Sequence, residues 1–263
     1  MSINHHIGLA NIGIKVATRY RWEAIASLIA TPVSLIIYYF LWKSIFTYTG
    51  ASVIRGFAFN DMVQYYVLSM IVGFFTWSQV DGWIENDIVN GWMFRGMLLP
   101  IGLTPWYLSF EMGINVYNIV VQMIPIFLIG IVFFGLPIAP AVPFLAFIMS
   151  IVFAFLIYFG LAYLLGLGAF WMKRIQGLRK VRRMLVAFLG GSFIPLAFFP
   201  QWLQSVSHFL PFEYVKSVPI LIYLQRVPVI ESLLAQLAWV IALYVIIHFV
   251  AKMAVRRYAG VGL

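Results

Sequence analysis

Side chains able to do acid–base or metal chemistry are sparse in this chain of 263 residues, which holds 8 Asp and Glu, 4 His and no Cys. Without Cys there is no thiolate nucleophile, no disulfide and no thiolate metal site. His5 and His6 are adjacent and so point to different helix faces, and no His-Glu-x-x-His or Gly-x-Ser-x-Gly segment occurs. Gly166 and Gly168 fall inside an apolar run that lacks the Lys and Ser or Thr of a phosphate loop. What remains is Glu111, Glu213 with His208 nearby, and the close-set Asp81, Glu85 and Asp87. Glu111 reads as a carboxylate at a helix start, favoured there by the dipole. An enzyme acting on lipids at membrane depth would have to use Glu111, His208 and Glu213. No catalytic, cofactor-binding or metal-binding residue is expected.

The elements around these residues are apolar. The chain is 63% hydrophobic with a mean hydropathy of +0.98, far too few polar groups to solvate a globular surface. Its apolar residues fall into uncharged runs long enough to cross a hydrocarbon core about 30 Å thick, which takes roughly 20 helical residues. The runs predict six membrane segments at 24–42, 62–80, 107–134, 142–172, 184–211 and 232–251, in a single all-α domain spanning 1–263. Residues 112–172 hold no charge at all, and the Gly135, Pro137, Pro140 and Pro143 stretch divides them into two spans. In 184–211, Gly190, Gly191, Pro195 and Pro200 interrupt the run. That pattern suits a full span, a re-entrant pair of half-helices, or a span followed by an interfacial helix. The first apolar run is too long for a cleaved signal peptide.

Two polar stretches interrupt this body. Residues 81–95 carry Asp81, Glu85, Asp87 and Arg95, yet Trp83, Ile84, Ile88, Trp92 and Met93 recur at helical spacing, which predicts a short amphipathic helix on the membrane face. Residues 173–183 hold six Lys and Arg and are expected as a watery basic loop that fixes topology. Residues 1–22 are expected as an in-plane amphipathic helix with Ile7, Ala10, Ile14 and Ala17 on one face. Placing both chain ends in the cytoplasm puts 13 of the 17 basic residues inside and leaves Lys43, Arg55, Lys216 and Arg226 outside, as the positive-inside rule requires. The net charge of +9 is thus explained by membrane topology, and nucleic acid is not an expected partner.

From Val80 to Pro100 the sequence resembles a known family: Asp87-Ile88 is followed two residues on by Gly91 and then by Leu98, Leu99 and Pro100. This resembles the segment between the second and third spans of type-2 ABC exporter permeases, and the viologen and antibiotic exporter permeases in particular. Gly190, Gly191, Pro195, Pro200, Trp202 and Leu210-Pro211-Phe212 are similar to the family's pattern in and after the fifth span, as is the basic ending at Arg256 and Arg257. The resemblance implies a type V ABC exporter fold: six transmembrane helices, an N-terminal in-plane helix, a cytoplasmic coupling helix at 81–95 and a re-entrant fifth segment. It implies that Trp83, Glu85, Asp87, Ile88, Gly91 and Met93 contact a separate ABC ATPase, and that Gly190, Gly191, Pro195 and Pro200 form an outer gate. It further implies a second permease subunit, identical or related, and ATP and Mg held in the partner ATPase rather than here. The expected location is the inner membrane of a bacterium, and the expected cargo an amphipathic or hydrophobic small molecule, peptide or lipid. A lipid-modifying membrane enzyme and a passive channel or anchor are the competing readings.

Overall fold

The computed structural model describes residues 3–94 and 102–259, and it is almost wholly helical. Arg95, the Leu98, Leu99 and Pro100 motif and the last residues of the chain lie outside the described residues. α1 (Ile3–Arg19) leads through a bend at Tyr20 into α2 (Arg21–Thr49). A two-residue hairpin, β1 (Val53–Ile54) and β2 (Phe57–Ala58), pairs Val53 with Ala58 and Ile54 with Phe57. Its turn residues Arg55 and Gly56 both have positive φ, as a type I′ turn requires. α3 (Phe59–Thr76) follows, then α4 (Val80–Val89).

α5 (Leu103–Asn118) and α6 (Ile124–Phe134) form one path through a π-helical turn, Ile119–Met123. Pro125 explains that turn: its ring lacks an N–H and would clash with the carbonyl one turn back, and widening the helix removes the conflict. α7 (Ala141–Leu167) and α8 (Ala169–Met172) come next, then α9 (Gln176–Leu189). Beyond α9 the chain breaks at Gly190 and Gly191, makes a 3-10 turn at Leu196–Phe198, and resumes as α10 (Gln201–Phe209), α11 (Phe212–Val215) and α12 (Ser217–Tyr223). α13 (Val229–Ala259) closes the fold.

Among the described residues four paths are long and apolar enough to cross a membrane: Arg21–Thr49, Leu103–Phe134, Ala141–Met172 and Val229–Arg257. Half of the most apolar stretch of the third is buried, against 11%, 11% and 17% in the others. α7 is therefore the spine of the body, and the other three turn most of their apolar side chains outward. The expected segment 62–80 is α3, an 18-residue helix enclosed by its neighbours, with Tyr65, Val67, Leu68 and Val72 essentially inaccessible. The expected segment 184–211 is not one helix: its Gly and Pro residues break it into α9, a 3-10 turn and α10.

Hydrogen bonds fix the two ends of the body. Arg226 donates to the Gly56 carbonyl and pairs with Asp61, and Tyr223 donates to the Pro137 carbonyl, so the hairpin, the 135–140 turn and the 224–228 turn share one end. Glu85 accepts from the Ile175 N–H, which places α4 and the start of α9 at the other. Between these ends run α2, α3, α5–α6, α7–α8, the broken stretch α9–α12 and α13. In the first third of α13, Gln236 joins three elements: Ser150 Oγ of α7 donates to its Oε1 at 2.9 Å, and its Nε2 donates to the Ser150 and Tyr214 carbonyls.

α1 is not a helix apart. With His6 beside Ser109 (Nδ1 to Oγ, 2.6 Å) and Ala10 beside Gly113, it runs the same way as the first half of α5 and packs closely along it. A Cβ on Gly113 would lie 1.9 Å from the Ala10 carbonyl oxygen, and one on Gly13 would lie 2.1 Å from that of Phe110. Two glycines, one per helix, permit this approach.

Candidate functional site

α4 presents Asp81, Ile84, Glu85 and Ile88 at the i, i+3, i+4, i+7 spacing of one helix face. That face is turned inward. Asp81 is 2% exposed and its Oδ2 accepts from Arg182 Nε at 3.1 Å and Nη2 at 2.8 Å, while the Arg182 guanidinium lies over the Tyr158 ring. One turn on, Glu85 pairs with Arg179 at 2.9 Å and its other oxygen takes the Ile175 N–H, capping the start of α9. Ile84 is fully buried against Gly166 of α7, where any Cβ would meet its Cδ1 at 2.7 Å and the Asp81 Cα at 3.1 Å. Two ion pairs and a close helix contact therefore fasten α4 to α9 and α7.

The basic stretch 173–183 is thus not a loop. From Gln176 it is helical, and Arg179 and Arg182, three apart and so on one face, meet carboxylates four apart on α4. Neither arginine stands among the expected site residues. The signal for them was present in the matched spacings of opposite charge, but nothing in the sequence alone says which helices meet. Arg182 is 8% exposed, too deep for a residue whose only task is to face anionic headgroups.

The remaining expected contact residues are also placed by packing. Trp83 stands edge-on to Phe110, Asp87 accepts from the Tyr107 hydroxyl at 2.6 Å, and Met93 is buried with Val80, Ile84 and Tyr107 in one apolar cluster. Gly91, at φ +70°, turns the chain after α4. Turned outward instead are Asn86, Val89, Asn90, Gly91, Trp92 and Phe94, with Val89, Trp92 and Phe94 each about half exposed. A partly apolar surface is therefore displayed by the end of α4 and the residues just after it, while the opposite face of α4 is tied into the body.

Glu111 lies two turns inside α5, not at its start. It does serve a helix N-terminus, but that of α4: Glu111 Oε1 accepts the Gln79 N–H at 3.3 Å. His208 and Glu213 pair with each other at 2.7 Å and line a different cavity from the one that Glu111 borders. Among the described residues no group of three or more His, Cys, Asp or Glu could hold a metal ion. The three side chains that lipid chemistry would need do not converge.

At the break, Gly190, Gly191, Pro195 and Pro200 lie together and are held from α3. Tyr65 donates to the Gly191 carbonyl and Tyr66 to the Phe193 carbonyl, each at 2.7 Å. Gly191 has φ +80°, a conformation that a side chain would strain, and a Cβ there would meet the Tyr65 hydroxyl at 2.9 Å. A cavity of about 830 Å³ opens beside this break, bounded by α1, α2, α3, α5 and α9.

Residues 32–262 match the family model described as ABC-2 family transporter protein. No curated protein and no solved structure matches the chain.

Proposed function

This chain belongs to the ABC-2 family of transporter proteins, and we propose that it is the membrane-spanning permease subunit of an ATP-driven exporter in a bacterial inner membrane. ATP and Mg are bound and hydrolysed by separate ABC ATPase subunits, and two permease subunits, identical or related, enclose the pathway. Both chain ends face the cytoplasm, and α2, α3, α5–α6, α7–α8, α9–α12 and α13 make six membrane crossings, the fifth of them broken. The cargo is an amphipathic or hydrophobic small molecule, peptide or lipid.

The observation that carries the reading is α4. Its outward residues Asn86 and Val89, with Asn90, Trp92 and Phe94 just beyond its end, form the surface that an ATPase groove receives. Asp81, Glu85 and Ile88, and with them Trp83, Asp87 and Met93, keep the helix rigidly attached to what must move. A displacement of α4 then pulls on Arg179 and Arg182 of α9, and α9 ends at Gly190 and Gly191, where the fifth pass breaks. An ATPase that binds differently in its ATP and ADP states supplies the conformational bias. This chain's part is to transmit it.

Co-purification in mild detergent tests this. The tagged wild-type chain is expected to capture an ATPase subunit, and the Val89→Asp, Trp92→Asp double variant to lose it while eluting as the same folded species. Recovery of wild type without an ATPase under several gentle conditions would contradict the reading.

A further inference from the structure

The cavity beside the break holds two basic side chains. Lys216 follows α11 on the fifth pass, and its side chain, half-buried, reaches across to α3: a Cβ on Gly73 would lie 2.9 Å from Lys216 Nζ. Among the described residues no hydrogen bond or ion pair holds that ammonium, although every Asp and Glu of α4 and α5 has a protein partner. Arg183 lies lower on the same wall, two turns before Gly190, and its guanidinium rests over the Trp77 ring. Around them the lining mixes apolar and aromatic residues, such as Met70, Phe74 and Tyr117, with neutral polar ones, such as Asn118, Gln122 and Ser192.

A cation without a counter-charge inside a membrane-embedded body is costly, and such groups are expected to face a water-filled cavity or a partner. The carboxylates that border the same cavity do not fill that role. Glu111 is engaged by the Gln79 N–H of α4, and Glu23 is exposed on the first turn of α2, at the cytoplasmic rim. An aliphatic tail fits the Met70 and Phe74 wall, and an acidic head would complete the Lys216 ammonium.

We infer that this cavity binds an amphipathic molecule with an anionic head group, carboxylate or phosphate, whose head pairs with Lys216 after passing Arg183. The inference deepens the transport reading: that the occupant is cargo rests on that reading, whereas the binding itself does not. A bilayer phospholipid carries the same chemistry, so the two sources must be told apart.

The test uses the purified full-length chain in nonionic detergent with two fluorescent probes, a dansyl-labelled long-chain fatty acid and the same chain ending in trimethylammonium. Wild type is expected to bind the acid roughly tenfold more tightly than the ammonium probe. Lys216→Met, which keeps the aliphatic stem, is expected to abolish the preference, and Lys216→Arg to retain it. A Lys216→Met protein that unfolds at the wild-type temperature shows that the loss is local. Equal binding of both probes by wild type, or an unchanged preference in Lys216→Met, would overturn the site. So would efficient disulfide formation between two copies through Ala187→Cys, because a second subunit would then fill the cavity. Displacement of the probe by anionic phospholipid identifies a lipid occupant, and failure of phospholipid to displace it identifies cargo; both results support the site. Capture of an ATPase is scored separately in the same preparation, so failure of the transport reading and failure of the binding site are distinguishable.

Discussion

Asp81 and Arg182, 101 positions apart in sequence, form an ion pair at 2.8 Å whose side chains are 3% and 8% exposed. It ties the helix that displays a surface at one end of the body to the helix that leads into the break in the fifth pass. A buried pair of this kind is weak evidence for stability, because desolvation offsets most of the attraction. Its loss is another matter, since removing one partner leaves a buried charge alone. Arg182→Ala is expected to destabilise the protein by about 3–5 kcal/mol and to uncouple ATP hydrolysis from transport. The exchange Asp81→Arg with Arg182→Asp should recover part of the loss; thermal unfolding in detergent measures both.

The neighbouring pair, Glu85 with Arg179, is more accessible at 12% and 20% side-chain exposure. Screening makes it worth less, about 1 kcal/mol or below. Glu85→Gln keeps an acceptor for the Ile175 N–H and should therefore lower the unfolding temperature by much less than Arg182→Ala. Equal losses in the two variants would mean that both pairs are equally dry.

The contact of α1 with α5 predicts opposite outcomes for two glycines, one inside the contact and one outside it. Gly113→Ala must push α1 away, since its Cβ would sit 1.9 Å from the Ala10 carbonyl oxygen, and about 1–3 kcal/mol of destabilisation follows. Gly8 has nothing within 4 Å of where a Cβ would go, so Gly8→Ala should be neutral or stabilise α1 by up to about 1 kcal/mol. Tryptic cleavage after Lys15 and Arg19 reports the difference, accelerating only in the Gly113 variant.

How much of this was legible before the structure depends on what each signal measures. Hydropathy found the apolar middles of α2, α5–α6, α7 and α13 because those helices keep apolar side chains on most of their surface. It placed the ends several residues short, as with 24–42 inside Arg21–Thr49, because helices continue through polar residues that hydropathy scores against. The break after Leu189 was legible in Gly190, Gly191, Pro195 and Pro200, each of which opposes a continuous helix for its own backbone reason. Periodicity predicted a helix over 81–95 where the structure has one at Val80–Val89, and it could not tell which face turned inward. Acids on an amphipathic helix read as its watery face, and only the three-residue spacing of Arg179 and Arg182 on a helix of their own reverses that reading. Likewise, the buried position of Glu111 depends on α4 starting against it, a long-range contact with no local mark.

The polar junction at Gln236 offers a check on packing within the body. Ser150 and Gln236 are both fully buried, bonded to each other and, through Gln236, to the Tyr214 carbonyl. Gln236→Leu removes these bonds and leaves the Ser150 hydroxyl without its partner, at about 1 kcal/mol. Pairing Gln236→Leu with Ser150→Ala should be less than additive, and denaturation of the single and double variants gives the coupling energy.

The account stands or falls on the outward face of α4. Photo-crosslinking tests it directly, with benzoylphenylalanine placed at Val89, which is about half exposed, and at Ile84, which is buried, in a complex assembled with its ATPase. Cross-linking of the ATPase from position 89 and not from 84 is the predicted result. An intact complex that gives no cross-link from position 89 would contradict α4 as the point where the ATPase docks.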